Sequence, residues 1–181
     1  MTEVSDFFSL FDGPALVVTA QSDAGRSGCL VAFATQCSIY PPRLLVCLSV
    51  VNFTTTVASR ARALGVHVLR RDQPDLASLF GEETGDETDK LGDVAWREGL
   101  AGAPILDACS AWLEGVVLER FPLGDHVGYL LEVIDVASDL GHDTMLKSQV
   151  ATLEPGHPAD EAVVADGRHV TPRGEQSDRA V

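Results

Sequence analysis

The stretch from residue 26 to 56, RSGCLVAFATQCSIYPPRLLVCLSVVNFTTT, constrains the fold of this chain more than any other. Its first apolar run, Gly28 to Ala34, predicts a strand, and Pro41-Pro42 ends that strand because neither proline can donate to a sheet. The second run, Leu44 to Val51, is almost continuously apolar, which is typical of a strand covered on both faces. The polar sequence N-F-T-T-T then opens a helix. Free N–H groups at a helix start, flanked by hydroxyls, favour an anion there.

Strand-like segments continue on both sides of this stretch. Ala15 to Ala20 forms a hairpin with the first apolar run. Thr55 to Leu64 has helical apolar spacing, and Val66 to Leu69 predicts a further strand. Two long segments, Ala111 to Phe121 and Val127 to Val136, are joined by a short turn and read as antiparallel neighbours. The chain is therefore expected to be mainly β with peripheral helices, in an antiparallel barrel. It has no Rossmann or P-loop fingerprint.

Composition limits the classes of function. The chain has 13 basic and 27 acidic residues and a formal charge of −14, which argues against nucleic acid as the main partner. The N-terminal sequence lacks a basic region, and no apolar run approaches the ~20 residues of a membrane span. We therefore expect a soluble cytoplasmic protein without a membrane association. The five histidines and four cysteines show no grouping typical of a metal site.

Apolar content thins after residue 140. We expect one domain over residues 1–140 and a C-terminal extension over residues 141–181 that is partly disordered. Residues 82–93 are acidic and rich in turn formers, which predicts an exposed loop or lid.

The order of several motifs resembles the flavin reductase-like family, which has the FMN-binding split-barrel fold and includes reductase components of two-component flavin monooxygenases. The motifs are the Pro-Pro strand start, the helix D-Q-x-x-L-A-x-x-F-G over residues 72–81, and the turn G-D-H over residues 124–126. The resemblance runs from about Phe8 to Val136. It implies a homodimer that reduces flavin with NADH or NADPH and supplies reduced flavin to a monooxygenase partner.

The resemblance also implies the site residues. His126, in the G-D-H turn, would lie where the nicotinamide docks and would be the catalytic side chain. The flavin ring and ribityl chain would be held by the strand before the Pro-Pro pair, namely Leu30, Val31, Ala32 and Phe33, followed by Thr35, Gln36 and Ser38. The flavin phosphate would lie against the polar helix start, at Ser49, Asn52, Thr54, Thr55 and Thr56.

The sequence leaves two alternatives open, one for the identity of the cofactor and one for the activity. Family members more often carry small residues or Thr where this chain has Leu30 and Phe33, and Ser where it has Gln36. FMN is the expected cofactor, with FAD or a deazaflavin as alternatives. The second alternative concerns activity: the protein would be a flavin-binding carrier or accessory protein without reductase turnover. Fold alone does not separate these functions.

Overall fold

An antiparallel sheet of seven strands, rolled into an open barrel, forms the body of the protein. The structure is a computed structural model that describes residues 3–85, 88–139, 141, 143–154 and 156. Its helices are α1 (Glu3–Ser9), α2 (Phe53–Ala58) and α3 (Pro74–Gly81). Its strands are β1 (Leu16–Ser22), β2 (Gly25–Val31), β3 (Ala34–Ser38), β4 (Arg43–Ser49), β5 (Ala63–Val68), β6 (Trp96–Glu98), β7 (Pro104–Leu106), β8 (Trp112–Pro122) and β9 (His126–Ala137). The expected class, mainly β with peripheral helices, is confirmed.

The barrel is split where its two edge strands meet. The strand order is β2-β1-β5-β8-β9-β4-β3, so β2 and β3 are the edges, although they follow each other in the chain. Ala32 and Phe33 connect them and form a corner between the two edges. The backbone N–H of Cys47 in β4 donates to the Phe33 carbonyl at 2.9 Å, which holds this corner against the far side of the sheet. The sheet therefore curls into a barrel without a continuous closing ladder, as expected for a split barrel.

The main core fills the barrel and is closed at one end by α2. Val57 and Ala58 of α2 are fully buried against strand residues such as Leu64 and Leu131. The Arg120 guanidinium of β8 donates to the carbonyls of Ala58 and Ala61, at 3.2 and 2.7 Å, and so ties β8 to the end of α2 and the residues just after it. This contact fixes α2 on the barrel.

A second apolar cluster lies outside the barrel, beneath α3. Phe80 of α3 packs there with Leu91, Leu106 and Met145, all less than 5% exposed. Residues 143–154, including the 3₁₀ turn Lys147–Gln149, therefore pack on the barrel. The division of the chain at residue 140 stays a prediction, and most of the predicted C-terminal extension lies outside the described residues.

One predicted helix is wrong in its extent. The apolar spacing from Thr55 to Leu64 predicted a single helix, but α2 ends at Ala58, and Ala63 and Leu64 begin β5. Leu64 pairs with Ala20 in the ladder between β1 and β5 and is fully buried. Burial between two strands overrode the helical spacing in this segment. The short strands β6 and β7 had no counterpart in the sequence prediction.

The acidic loop is more tightly held than its composition predicted. Lys90 and Leu91 are only 3% and 2% exposed, so the prediction of an exposed loop over residues 82–93 is wrong for this part. The Lys90 Nζ donates to the Phe80 carbonyl at 3.3 Å, and Asp89 forms an ion pair with Arg26 of β2 at 2.7 Å. The long apolar stem of lysine allows such burial. Asp86 and Glu87 lie outside the described residues.

Membrane-spanning helices are not found in the described part of the chain, where no helix has the length and apolar character needed to cross a bilayer.

Candidate functional site

A groove of about 550 Å³ runs over the corner where β2 turns into β3. Its floor is made by the end of β2 and the corner itself, from Cys29 to Phe33. Volumes of this size are typical of sites for small molecules and cofactors. Phe33 is 51% exposed, so a large aromatic face lies open at the groove. An apolar floor with an open aromatic side chain suits a flat, partly aromatic ligand.

Polar groups come from the strands beside this floor. Ser49 is the last residue of β4, and His126, the first residue of β9, is its partner in the ladder. Asn52 follows β4 and caps α2, because its Oδ1 accepts the backbone N–H of Thr54 at 2.9 Å. All three side chains line the groove. They provide hydroxyl, amide and imidazole groups on one wall.

The His126 ring is oriented by its neighbours. Its Nδ1 lies 2.9 Å from the Asp125 carboxylate, and its ring centroid lies 5.1 Å from that of Phe33. The pairing with Asp125 leaves Nε2 as the nitrogen that can contact a ligand. Gly124, with φ of 96°, makes the turn before this pair, in a backbone region that only glycine adopts at little cost.

The groove gathers seven of the thirteen residues predicted from sequence. These are Leu30, Val31, Ala32, Phe33, Ser49, Asn52 and His126. The other six lie elsewhere.

Two of the threonines at the helix start point into the protein. The Thr54 hydroxyl lies 2.9 Å from the hydroxyl of Ser27, and the Thr55 hydroxyl donates to the Ser49 carbonyl at 2.6 Å. Both side chains are buried, whereas Thr56 is exposed and does not line the groove. The hydroxyls of Thr54 and Thr55 therefore brace the turn that presents Ser49 and Asn52. Their role as phosphate ligands stays a prediction.

The predicted residues of β3 also lie outside this groove. Thr35 and Gln36 line a second, more apolar groove of about 490 Å³, together with Leu44 and Trp112. Ser38 lies at the end of β3, where its carbonyl accepts the Gln36 side-chain amide at 3.1 Å. The β2–β3 corner explains this separation, because it turns β3 away from the floor of the first groove. Cofactor contacts by these three residues stay predictions.

Sequence reasoning missed the groove residues that come from distant segments. Phe80 and Gly81 of α3 contribute one part, and a Cβ added to Gly81 would lie 3.0 Å from the Leu30 side chain. Residues at both ends of the described chain contribute another part: Phe8, Ser9, Lys147, Val150, Ala151 and Leu153. The helix motif over residues 72–81 was the only signal that pointed toward any of them.

Within the described residues, the groove is not lined by acidic side chains, although the chain as a whole is strongly acidic. None of the described residues that line it is acidic, although the chain has 27 acidic residues among 181. Two thiols line it, and burial raises the pKa of Cys29 to about 11 and that of Cys47 in the same direction, so both stay neutral. Within the described residues no cluster of His, Cys, Asp or Glu could hold a metal ion. The donor set suits an organic anion.

The groove fits a flavin nucleotide by the chemistry of these groups. The apolar floor and the open Phe33 ring can contact the isoalloxazine ring. Ser49, Asn52 and His126 can donate to phosphate or carbonyl oxygens, and none of the described residues that line the groove is acidic.

Comparisons with known proteins agree with this geometry. The chain matches the family described as "Flavin reductase like domain" over residues 8–153. It is 29% identical over 130 residues to the 4-hydroxyphenylacetate 3-monooxygenase reductase component of Klebsiella oxytoca, covering 70% of this chain and 75% of that protein. It is 27% identical over 130 residues to the FMN reductase (NADH) RutF of Pseudomonas syringae pv. syringae, covering 72% of each.

A solved structure supports the same placement. The NADH:FAD oxidoreductase SgcE6 of Streptomyces globisporus C-1027 superposes with a TM-score of 0.70 at 25% identity, covering 81% of this chain and 90% of that one. Since the family match spans most of the chain, the protein belongs to the flavin reductase-like domain family.

Proposed function

We propose that the protein is a flavin reductase that uses NADH or NADPH to reduce FMN or FAD bound in the groove over Cys29–Phe33. The observation that carries this proposal is the groove itself. It joins an apolar floor to the donors Ser49, Asn52 and His126, contains no described acidic residue, and lies in a chain of the flavin reductase-like family. The relatives named above support both the flavin and the nicotinamide nucleotide.

The chain's own residues would bind and orient the two reactants. When bound, the flavin supplies the redox chemistry, by accepting a hydride from the nicotinamide. Leu30 and Phe33 hold the flavin ring by apolar contact, and Ser49 and Asn52 donate to its polar groups. His126 orients the nicotinamide through Nε2, because Asp125 occupies Nδ1. Alignment of the two rings is the main contribution expected of such a site.

We also propose that the protein works as a homodimer. The groove is open to solvent beside Phe33, and large apolar side chains near the same sheet edge are strongly exposed, including Ile39 and Tyr40 at 86% and 94%. A second copy would cover this surface and complete the wall of the groove. A cytoplasmic location stays a prediction from the sequence.

A monooxygenase partner is the third part of the proposal. The Klebsiella oxytoca relative is the reductase component of 4-hydroxyphenylacetate 3-monooxygenase. By analogy, the reduced flavin formed here would leave the open groove and serve an oxygenase encoded separately.

A spectroscopic titration tests the reductase proposal against a flavin carrier. The purified protein is titrated with FMN and FAD, and oxidation of NADH and of NADPH is then followed under air with excess flavin. Flavin binding with rapid oxidation of either nucleotide is the expected result. Flavin binding without oxidation of either nucleotide would identify a carrier. A protein that binds no flavin would refute both functions.

A further inference from the structure

We propose that Lys147 is a second recognition point of the groove and binds a phosphate group of a bound nucleotide. This inference rests on the proposed function, since it assumes that the groove binds nucleotides. Lys147 begins the 3₁₀ turn near the end of the described chain and lines the groove together with Phe8 of α1. Lys147 lies on the 3₁₀ turn, whereas the wall formed by Ser49, Asn52 and His126 belongs to β4, β9 and the start of α2. The groove would therefore hold anionic groups on two sides.

The charge distribution points to an anionic ligand at this position. Among the described lining residues, Lys147 is the only one with a permanent positive charge, and none is acidic. The rest of the chain is strongly acidic, with a formal charge of −14. A phosphate approaching most of this surface would be repelled. The surroundings of Lys147 in the groove therefore favour anion binding more than the net charge implies.

The backbone that carries Lys147 is fixed by the N-terminal segment. Its N–H donates to the Gly13 carbonyl at 2.9 Å. The next residue, Ser148, donates from its N–H and its hydroxyl to the two oxygens of the Asp12 carboxylate, at 2.9 and 2.7 Å. These bonds lower the pKa of Asp12, so its carboxylate stays ionised and engaged with Ser148. Such anchoring presents the lysine side chain from a defined position.

The Lys147 ammonium can donate hydrogen bonds to a ligand. An ammonium carries three N–H donors. The Phe8 carbonyl accepts one of them at 3.4 Å, which draws the Lys147 side chain toward α1 at the edge of the groove. No carboxylate of the described residues lies within 4.0 Å of the Lys147 ammonium, and the Asp12 carboxylate, which attracts it from farther away, is held by Ser148. Lysine binds phosphate as a compact point charge, which suits this arrangement.

The ligand class is a nucleotide phosphate, and its source is either the flavin or the nicotinamide nucleotide. Pairs of ligands that differ in phosphate distinguish these sources. FMN differs from riboflavin only in its 5′-phosphate, and NADPH differs from NADH in its 2′-phosphate.

Calorimetric titration of four proteins tests the proposal. The proteins are wild type, Lys147→Gln, Lys147→Arg and Arg60→Gln, each titrated with FMN, riboflavin, FAD, NADH and NADPH. Lys147→Gln should raise the Kd of at least one phosphate-bearing ligand about tenfold. Lys147→Arg should restore most of this affinity. Arg60→Gln removes the same charge from an exposed residue outside the groove, so it should leave every Kd unchanged.

The pattern of affected ligands identifies the source. Loss confined to FMN and FAD, with riboflavin unchanged, assigns Lys147 to the flavin phosphate. Loss for NADH or NADPH assigns it to the nicotinamide nucleotide. If every Kd stays within about twofold of wild type, or if riboflavin is weakened as much as FMN, the role of Lys147 is refuted. A wild-type protein that binds none of the five ligands would instead refute the proposed function, and this inference with it.

Discussion

The buried histidine of β5 should make the stability of the fold depend on pH in a predictable direction. His67 is fully buried. The backbone N–H of Leu106 donates to its Nε2 at 3.0 Å, so Nδ1 carries the proton and donates to the Val17 carbonyl at 3.0 Å. Both nitrogens of the neutral ring are therefore satisfied, and it joins β5 to β1 and β7. Protonation of Nε2 would place a second N–H against the N–H of Leu106.

The magnitude follows from the pKa. Burial lowers the pKa of His67 from 6.5 to about 4. The unfolded chain then binds the proton more tightly than the folded protein, so the stabilisation is complete above pH 6.5 and is lost as the pH falls toward 4. A shift of this size corresponds to about 3 kcal/mol of unfolding free energy. Carboxylates also titrate in this range, so a variant without the titrating ring is needed.

Urea unfolding at a series of pH values measures the effect. His67→Gln keeps an amide donor and acceptor but does not titrate, and we expect it to be about 2 kcal/mol less stable than wild type near neutral pH. Toward pH 4 the wild type should lose about 3 kcal/mol that His67→Gln does not lose, so the two proteins should become about equally stable or the variant slightly more stable. Leu64→Ala, a buried change in the same strand, should lose stability to a similar extent at every pH. A difference between wild type and His67→Gln that stays constant with pH would refute the reasoning.

Three further substitutions probe the site and its supports. His126→Ala should lower kcat/KM for the nicotinamide nucleotide about tenfold while the Kd of the flavin stays unchanged, and unchanged steady-state kinetics would contradict the role given to this ring. Arg120→Met removes two bonds to the carbonyls at the end of α2 and should lower the unfolding free energy in urea by about 1 to 2 kcal/mol. Lys90→Met replaces a buried ammonium by an apolar chain of similar length, so the unfolding free energy should stay equal or rise by about 1 kcal/mol. A loss of more than about 2 kcal/mol would show that the bond from Lys90 to the Phe80 carbonyl outweighs its desolvation.

The sequence predicted the barrel well because its strands carry strong local signals. The apolar run from Leu44 to Val51 and the two long segments after Ala111 became β4, β8 and β9. The helix from Thr55 to Leu64 was wrong in extent because apolar spacing cannot reveal that Leu64 is buried between two strands. Local pattern thus identified most of the strands, while tertiary contacts decided where α2 ends.

The candidate site was predictable only in part, for a topological reason. Leu30 to Phe33, together with Ser49 and Asn52, lie close in sequence to the motifs that carry the family resemblance, and the structure brings them together with His126. Lys147 gave no local signal, since it reaches the groove only through long-range pairing of residues 143–147 with the segment after β5 and with the chain before β1. The Thr54 hydroxyl bonds inward to Ser27, which the sequence pattern did not reveal, and its role as a phosphate ligand stays a prediction.

The burial of Lys90 has a practical consequence for chemical labelling. The chain contains two lysines, and the other is Lys147. With the Lys90 amine withdrawn from solvent behind Phe80, an acylating fluorophore has one accessible lysine side chain to modify, and that side chain stands at the groove. Acylation would remove the ammonium charge proposed to bind phosphate, so protection of Lys147 from the reagent by a bound nucleotide would report occupancy of the groove, in the native sequence and without an introduced cysteine.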